Sequence, residues 1–390
     1  MYVLFALPAY SKAQQVWLSE DAKVSVITFG PSQDEVYSAF GHSAIRIYDP
    51  VRRIDNAYNY GVFDFSQPNF YLNYTKGRPL FKLGVSSYPQ MKEVYLYYNR
   101  WVHEQELNLN AEQIQKVFDY LQWNALPENR NYVYDYFYDN CATKIRDIFS
   151  EVLSGDIRFD DSFLNTSYTI RQLTDIYLAQ QPWGDLGIDI CLGLPMDKKI
   201  SPYQYMFIPD YIELFFAHAS IKKGDSLIPL VSNTVVTNPS NPQEVNHAAP
   251  HPWIVFGAVL LVVSGISYRD YKKQKISRWL DVGLLAITGL LGWLLFLLWV
   301  ATDHKAAAGN LNLLWALPTN AFAIAMLFGK QKEWIKKYYG FAAILTLLLL
   351  VTWPFLPQQI NVFLIPLVIA LLIRYVLNYY LLTGHMQNQR

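Results

Sequence analysis

Five apolar stretches follow one another closely after Pro250, at about residues 252–268, 279–300, 311–328, 339–356 and 360–382. Each is near the roughly 20 residues an α-helix needs to cross a bilayer. A buried soluble core explains one such run, but five in succession predict a five-span helical membrane domain over residues 250–390. Its orientation follows from its cations, because short cytoplasmic loops collect Lys and Arg. Arg269, Lys272, Lys273, Lys275 and Arg278 lie between the first two stretches, and Lys330, Lys332, Lys336 and Lys337 between the third and fourth. The two intervening loops hold Lys305 alone. The lysine-rich loops are therefore expected in the cytoplasm together with the C-terminus, which puts everything before Pro250 outside. Asp281 and Arg374 fall within the second and fifth stretches. They either pair across the bundle or snorkel to the interface, and snorkelling is the expectation.

The formal net charge of zero over 390 residues conceals a division along the chain. From residue 251 onward there are twelve Lys/Arg against four acids, net +8, so the first 250 residues carry −8. An acidic extracytoplasmic half repels phosphate and argues against nucleic-acid binding. Aromatic residues make up 16% of the chain, which excludes disorder. At the N-terminus, residues 2–7 are apolar and Ser11-Lys12-Ala13 precedes Gln14 as a small-x-small cleavage site would. The basic lead is missing, so residues 1–13 read as a signal-peptide remnant.

Residues 14–249 are ample for one sizeable core. Residues 24–29, 43–48, 57–65 and 93–98 alternate or run apolar and read as strands. Asn110 precedes a helical face of Ile114, Val117, Phe118 and Leu121, with Gln113 placed to complete a capping box. A second helix is expected over 141–153 from Ile145, Ile148, Phe149 and Val152. The sum is an α+β domain with an antiparallel sheet flanked by helices. Residues 235–252 read as the linker to the membrane.

The two cysteines, Cys141 and Cys191, would most simply form a disulfide in an oxidising compartment. The setting of Cys141 favours another reading. Asp139 and Asn140 precede it at the expected first turn of a helix, where free N–H groups and the macrodipole stabilise a thiolate. Cys191, between Ile190 and Leu192, reads as an inert packed thiol. A nucleophilic Cys needs a base close in space. His103 and His218 have settings that suit structural roles, and His247 and His251 are in the linker. His42 follows Gly41 at the start of a predicted strand, where the bare glycine allows close backbone approach. A His at a strand start facing a Cys at a helix start is the arrangement of papain-type thiol chemistry. Metal chemistry is not expected: no His pair is spaced i, i+4 and no Cys pair has finger spacing. No glycine-rich phosphate loop is present either.

Phe40-Gly41-His42-Ser43-Ala44-Ile45-Arg46, followed by Asn140-Cys141, resembles the circularly permuted NlpC/papain-like class, which includes the lecithin retinol acyltransferase-like enzymes. The whole chain resembles more closely the Lnb lipoprotein N-acyltransferases. Asn59-Tyr60-Gly61, Lys76-Gly77-Arg78, the run Tyr132–Phe137 and the C-terminal bundle carry that likeness. The resemblance implies a permuted papain-like domain in the periplasm, anchored in the bacterial inner membrane. It also implies transfer of a fatty acyl chain from a phospholipid donor to the α-amine of a diacylated lipoprotein acceptor, without a cofactor. His42 and Cys141 match its motif residue by residue. The third, orienting group stays open among Asn59, Asp64 and Asp139, because a second His of the lecithin retinol-type enzymes has no counterpart here. Asn140, Ser43 and the backbone N–H groups at the Cys141 helix start are candidates to hold the oxyanion.

One polar cluster lies at the expected outer end of the bundle: Asp303, His304, Asn310, Asn312, Trp315 and Asn320. Asn312 and Asn320, eight residues apart, would share a helical face. The cluster either binds a lipid headgroup or lipoprotein amine, or caps loops and bonds between helices. Lys76, Arg78 and Lys82 either meet lipid phosphate or form a solvated basic loop, and the aromatic run at 132–138 either lines an acyl groove or packs as a strand. Two other readings compete with the acyltransferase. One is a membrane-tethered cysteine peptidase or amidase of the cell envelope; the other is a scaffold closed by a Cys141–Cys191 disulfide.

Overall fold

The structure, a computed structural model, describes residues 16–238, 249–329 and 332–387. The leader-like segment 1–13 and the middle of the expected linker lie outside these residues. In the N-terminal domain, β1 (Lys23–Phe29), β2 (His42–Asp49) and β3 (Ile54–Val62) are followed by α1 (Phe70–Thr75), β4 (Leu80–Ser87), α2 (Tyr88–Tyr97) and β5 (Val102–Leu107). Then come α3 (Ala111–Asn124), β6 (Asn131–Val133), α4 (Cys141–Val152), β7 (Ile157–Arg158), α5 (Ile170–Leu178) and α6 (Pro182–Cys191). The domain closes with α7 (Pro202–Tyr205), α8 (Pro209–His218), β8 (Ser220–Lys223), β9 (Ser226–Pro229) and β10 (Val231–Thr237). Seven strands form one antiparallel sheet in the order β10-β5-β1-β2-β3-β4-β6. β10 thus runs three residues into the stretch read as linker.

The period-two pattern of the central strands builds a core on each face. Val24, Val26, Ile45, Ile47, Tyr58 and Tyr60 join the buried sides of α3, α4 and α8 on one face. Ile27, Phe29, Ala44 and Ala57 meet α2 on the other. The expected capping box of α3 forms: Gln113 N–H donates to Asn110 Oδ1 at 2.9 Å, and Asn110 N–H donates to Gln113 Oε1 at 3.0 Å. Ile145, Ile148 and Phe149 bury the inner stripe of α4, each contributing about 1.5–3 kcal/mol of transfer free energy. Residues 93–98 correct the sequence reading, because they belong to helix α2 and not to a strand. Pro89 starts that helix, and Tyr88, Met91 and Tyr95 share the face turned to the sheet, so their helical spacing outweighs the local alternation.

The C-terminal bundle contains α9 (Pro252–Lys273), α10 (Arg278–Val300), α11 (Asn320–Phe328), α12 (Lys332–Thr352) and α13 (Ile365–Gln387). Among the described residues, four helices are long and apolar enough to cross a membrane, at Pro252–Lys273, Arg278–Val300, Glu333–Phe355 and Val362–Thr383. The stretch expected as the third span is broken. A 3₁₀ turn at Leu311–Leu314 leads through irregular backbone and Pro318 into the nine-residue α11. Two glycines of α10 make room for this: a Cβ on Gly292 would stand 2.1 Å from the Ala316 carbonyl oxygen, and one on Gly289 2.6 Å from the Ala321 nitrogen. Non-helical backbone at membrane depth survives where protein covers it. Asn312 and Asn320 therefore lie on different elements and share no helical face. Asp281 and Arg374 do not snorkel. Arg374 is buried and donates to Asp281 at 2.9 and 3.0 Å and to Asp270 at 3.0 Å, which ties α13 to α10 and α9. In a medium without water a paired charge is far cheaper than an isolated one.

Candidate active site

Two local devices bring Cys141 and His42 together. Asn140 caps α4, its Oδ1 accepting from Ala142 N–H and Thr143 N–H at 2.9 Å each, so Cys141 becomes the first helical residue. The Asn140 amide also donates to the carbonyls of Tyr136 (2.8 Å) and Phe207 (2.7 Å). With these bonds Asn140 is a helix cap and not an oxyanion donor. At Gly41 the chain enters β2 with φ +78°, and a Cβ there would stand 2.8 Å from the Phe29 carbonyl oxygen. Only glycine meets both conditions without strain, and His42 emerges immediately after it.

His42 hydrogen-bonds the Cys141 sulfur. Its other ring nitrogen, Nε2, donates to Asn59 Oδ1 at 2.6 Å, which leaves Nδ1 for the thiol. Of the three groups left open, Asn59 on β3 is the one that bonds the His42 ring. Asp139 pairs instead with Lys144 at 2.8 Å, and Asp64 with Lys82 at 3.5 Å. The Ser43 and Ala142 N–H groups also point at the sulfur. Burial works against the thiolate, but the His42 charge and these donors outweigh it and hold the Cys141 pKa below its ordinary value. Burial likewise opposes the imidazolium, and Cys141 and Asn59 nevertheless raise the His42 pKa. Both shifts favour a thiolate–imidazolium pair.

Aromatic rings enclose the pair. Tyr95 lies parallel to His42, with ring centroids 6.4 Å apart and 4° between planes, and Phe29 stacks on Tyr95 at 3.8 Å. The Arg100 guanidinium covers Tyr95 at 4.6 Å. A strand reading of 93–98 hides Tyr95, whose signal is its helical spacing with Tyr88 and Met91, and Arg100 carries no local signal. On the other side, a Cβ on Gly61 (φ +91°) would stand 3.4 Å from the Tyr134 ring and 3.9 Å from the Cys141 Cβ. Cys191 is a free thiol, as is Cys141, and burial raises its pKa. The disulfide reading has no support in this arrangement.

The outer cluster divides into two parts. Asp303 and His304 meet the loop after α1: Asp303 pairs with Arg78 and its N–H donates to the Lys76 carbonyl at 2.9 Å. A Cβ on Gly77 would stand 2.8 Å from the His304 nitrogen. Asn310, Asn312, Trp315 and Asn320 are buried and bonded within the protein. Asn310 donates to the Ile190 carbonyl at 2.7 Å, Trp315 donates to Asn312 Oδ1 at 2.9 Å, and Asn320 donates to Thr288 at 2.7 Å. These four join elements together and are closed to a substrate, which favours the capping alternative. Asn310 and Asn312, which donate to the carbonyls of Ile190 and Asp189, belong to a larger latch at α6 that the sequence did not reveal. Arg171 pairs with Asp189 (2.7 Å) and Asp197 (2.9 Å), Asn361 donates to Asp185 (2.9 Å) and Asp189 (3.0 Å), and Gln358 donates to the Leu192 carbonyl (3.0 Å).

Residues 14–176 match the family model described as the Lnb N-terminal periplasmic domain, and residues 243–385 match the Lnb transmembrane domain. No curated protein and no solved structure matches the chain.

Proposed function

The chain belongs to the Lnb family, and from that premise we propose that it is a lipoprotein N-acyltransferase of the inner membrane. It moves a fatty acyl chain from a phospholipid, through a Cys141 thioester, to the α-amine of a diacylglyceryl-cysteine lipoprotein. The observation that carries this reading is the Cys141–His42–Asn59 constellation, in which a depressed thiol faces an imidazole whose other nitrogen is fixed.

The Cys141 thiolate attacks the ester carbonyl carbon, and the carbonyl oxygen takes the negative charge. The Cys141 backbone N–H at the start of α4, with that of Ser43 beside it, stabilises the oxyanion, at about 3 kcal/mol per donor. Collapse breaks the acyl carbon–oxygen bond, and the His42 imidazolium gives its proton to the departing lysophospholipid hydroxyl. The acyl group now sits on Sγ as a thioester. The lipoprotein amine attacks it, His42 takes the amine proton, and the carbon–sulfur bond breaks to leave an amide and the original thiolate. An ester and an amine become an alcohol and an amide, with no redox partner required. Asn59 keeps the His42 ring and tautomer in register through both halves. The periplasmic domain carries this chemistry, and the C-terminus lies in the cytoplasm.

The thioester is directly testable. Incubated with phospholipid vesicles and no acceptor, the full-length protein gains one acyl mass on Cys141, which hydroxylamine removes. An unmodified Cys141 in protein that nonetheless acylates an added lipoprotein acceptor rules out the covalent route.

A further inference from the structure

Residues 63–80, between β3 and β4, expose six large apolar side chains: Phe63, Phe65, Tyr71, Leu72, Tyr74 and Leu80. Phe65 is 61% and Tyr71 73% exposed, although Phe70 between them is buried. A contiguous apolar patch of this kind on a folded domain marks an interaction surface. Two independent observations identify what covers it.

The first is position. The loop that closes the patch, Lys76–Arg78, rests on Asp303 and His304, just beyond the end of α10 at Val300. α10 is one of the membrane-crossing helices, so the patch stands at the rim of the bilayer on the side of the catalytic domain. Lys76 belongs to the same loop, and a cation favours an anionic lipid surface. Aromatic rings with polar edges are the side chains enriched at that depth. The second is continuity with the nucleophile. The Tyr134 ring and the Cys141 Cβ both lie within 4 Å of the point a Gly61 Cβ would occupy, and Tyr134 stacks on Phe81 at 4.4 Å. Phe81 meets Phe63 at 5.6 Å, Phe63 meets Phe65 at 5.0 Å, and Phe65 reaches Phe70 at 5.0 Å and Tyr71 at 6.4 Å. An unbroken aromatic track therefore joins the buried thiol to the exposed patch.

We propose that residues 63–80 lie in the interfacial layer of the same bilayer that holds the spans, and that this lip passes a phospholipid acyl chain along the Phe63–Phe81–Tyr134 track to Cys141. The passage of the chain rests on the acyltransferase reading, whereas the seating of the lip in lipid does not. The occupant is the lipid leaflet, because the patch is contiguous with the membrane domain.

The test uses full-length protein reconstituted in phosphatidylethanolamine–phosphatidylglycerol vesicles. A nitroxide is placed at Tyr71→Cys, and at Val51→Cys as an exposed control, in a Cys141→Ala, Cys191→Ala background. Collisions with oxygen should dominate at position 71 and collisions with a water-soluble nickel complex at position 51. Water-like behaviour at both positions overturns the seating. In the otherwise intact enzyme, the combined Phe65→Ser, Tyr71→Ser and Leu72→Ser change should raise the apparent KM for vesicle phospholipid by about tenfold or more. An unchanged KM overturns the lip as a lipid guide. A wild-type protein that transfers no acyl chain refutes the acyltransferase reading instead, and the depth measurement still decides the seating.

Discussion

At the scale of single residues, the charge state of one thiol decides the proposed chemistry. Cys141 is buried, which alone would raise its pKa, yet the His42 imidazolium and the Ser43 and Ala142 N–H groups bring it below the ordinary thiol value. A lowered thiol pKa means that the thiolate persists to lower pH than in a free cysteine. The rate of Cys141 alkylation by iodoacetamide should accordingly stay high at neutral pH and begin to fall only well below the usual thiol range. Replacing His42 by Ala removes the largest stabilising charge, so the midpoint should move upward. Coincident profiles for the two proteins contradict the ion pair. Much of this site was legible in the chain. The Asn140-Cys141 cap and the Gly41-His42 turn are local devices, in which neighbouring residues set the backbone that presents the side chain. The choice of Asn59 over Asp139 and Asp64 was not legible, because it depends on the register of β3 against β2.

Elements show where local pattern gives way to packing. The alternation at 93–98 suggested a strand, and the side chains instead form one face of α2 against the sheet. The third apolar stretch suggested a helix, and close backbone approach at Gly289 and Gly292 admits a broken segment in its place. The latch at α6 is built from contacts distant in sequence, so no spacing announced it. Within it, Asp175, Asp185 and Asp189 place carboxylate oxygens within 4.8 Å of one another. Burial and the neighbouring carboxylates push Asp175 up to about 8 and Asp185 up to about 6. The folded state therefore keeps a proton that the unfolded chain releases near its ordinary carboxylate pKa, and it binds more protons. That contribution is complete below the unfolded value and is lost as pH rises through about 8. Thermal unfolding of the full-length protein should show stability declining from roughly pH 4 to about 8 and levelling off above it. Asp175→Asn, which stays neutral throughout, should flatten the decline. Parallel curves contradict a shared proton in the latch.

On the scale of the whole molecule, the zero net charge of the chain separates into an acidic sheet domain and a basic bundle. The buried latch at α6 and the loop at 76–78 hold the domain on the bundle at two places. The cations between α9 and α10 and between α11 and α12 predict that those loops face the cytoplasm. A cysteine at Lys273 should resist a membrane-impermeant maleimide in intact inner-membrane spheroplasts and react once the membrane is opened. Labelling before opening contradicts the topology. The division into a sheet domain and a helical bundle was legible because hydropathy and charge are sums over many residues. The docking between the two was not, because it rests on single contacts such as Gly193 against Ala308.

In the proposed mechanism Cys141 carries the acyl chain that ends on a lipoprotein. Mass spectrometry of lipoprotein N-termini checks this in cells whose only N-acylating enzyme is this chain. Wild-type protein should yield the N-acylated, triacyl form, and Cys141→Ala should leave the diacyl form with a free α-amine. Full N-acylation with Cys141→Ala contradicts the account.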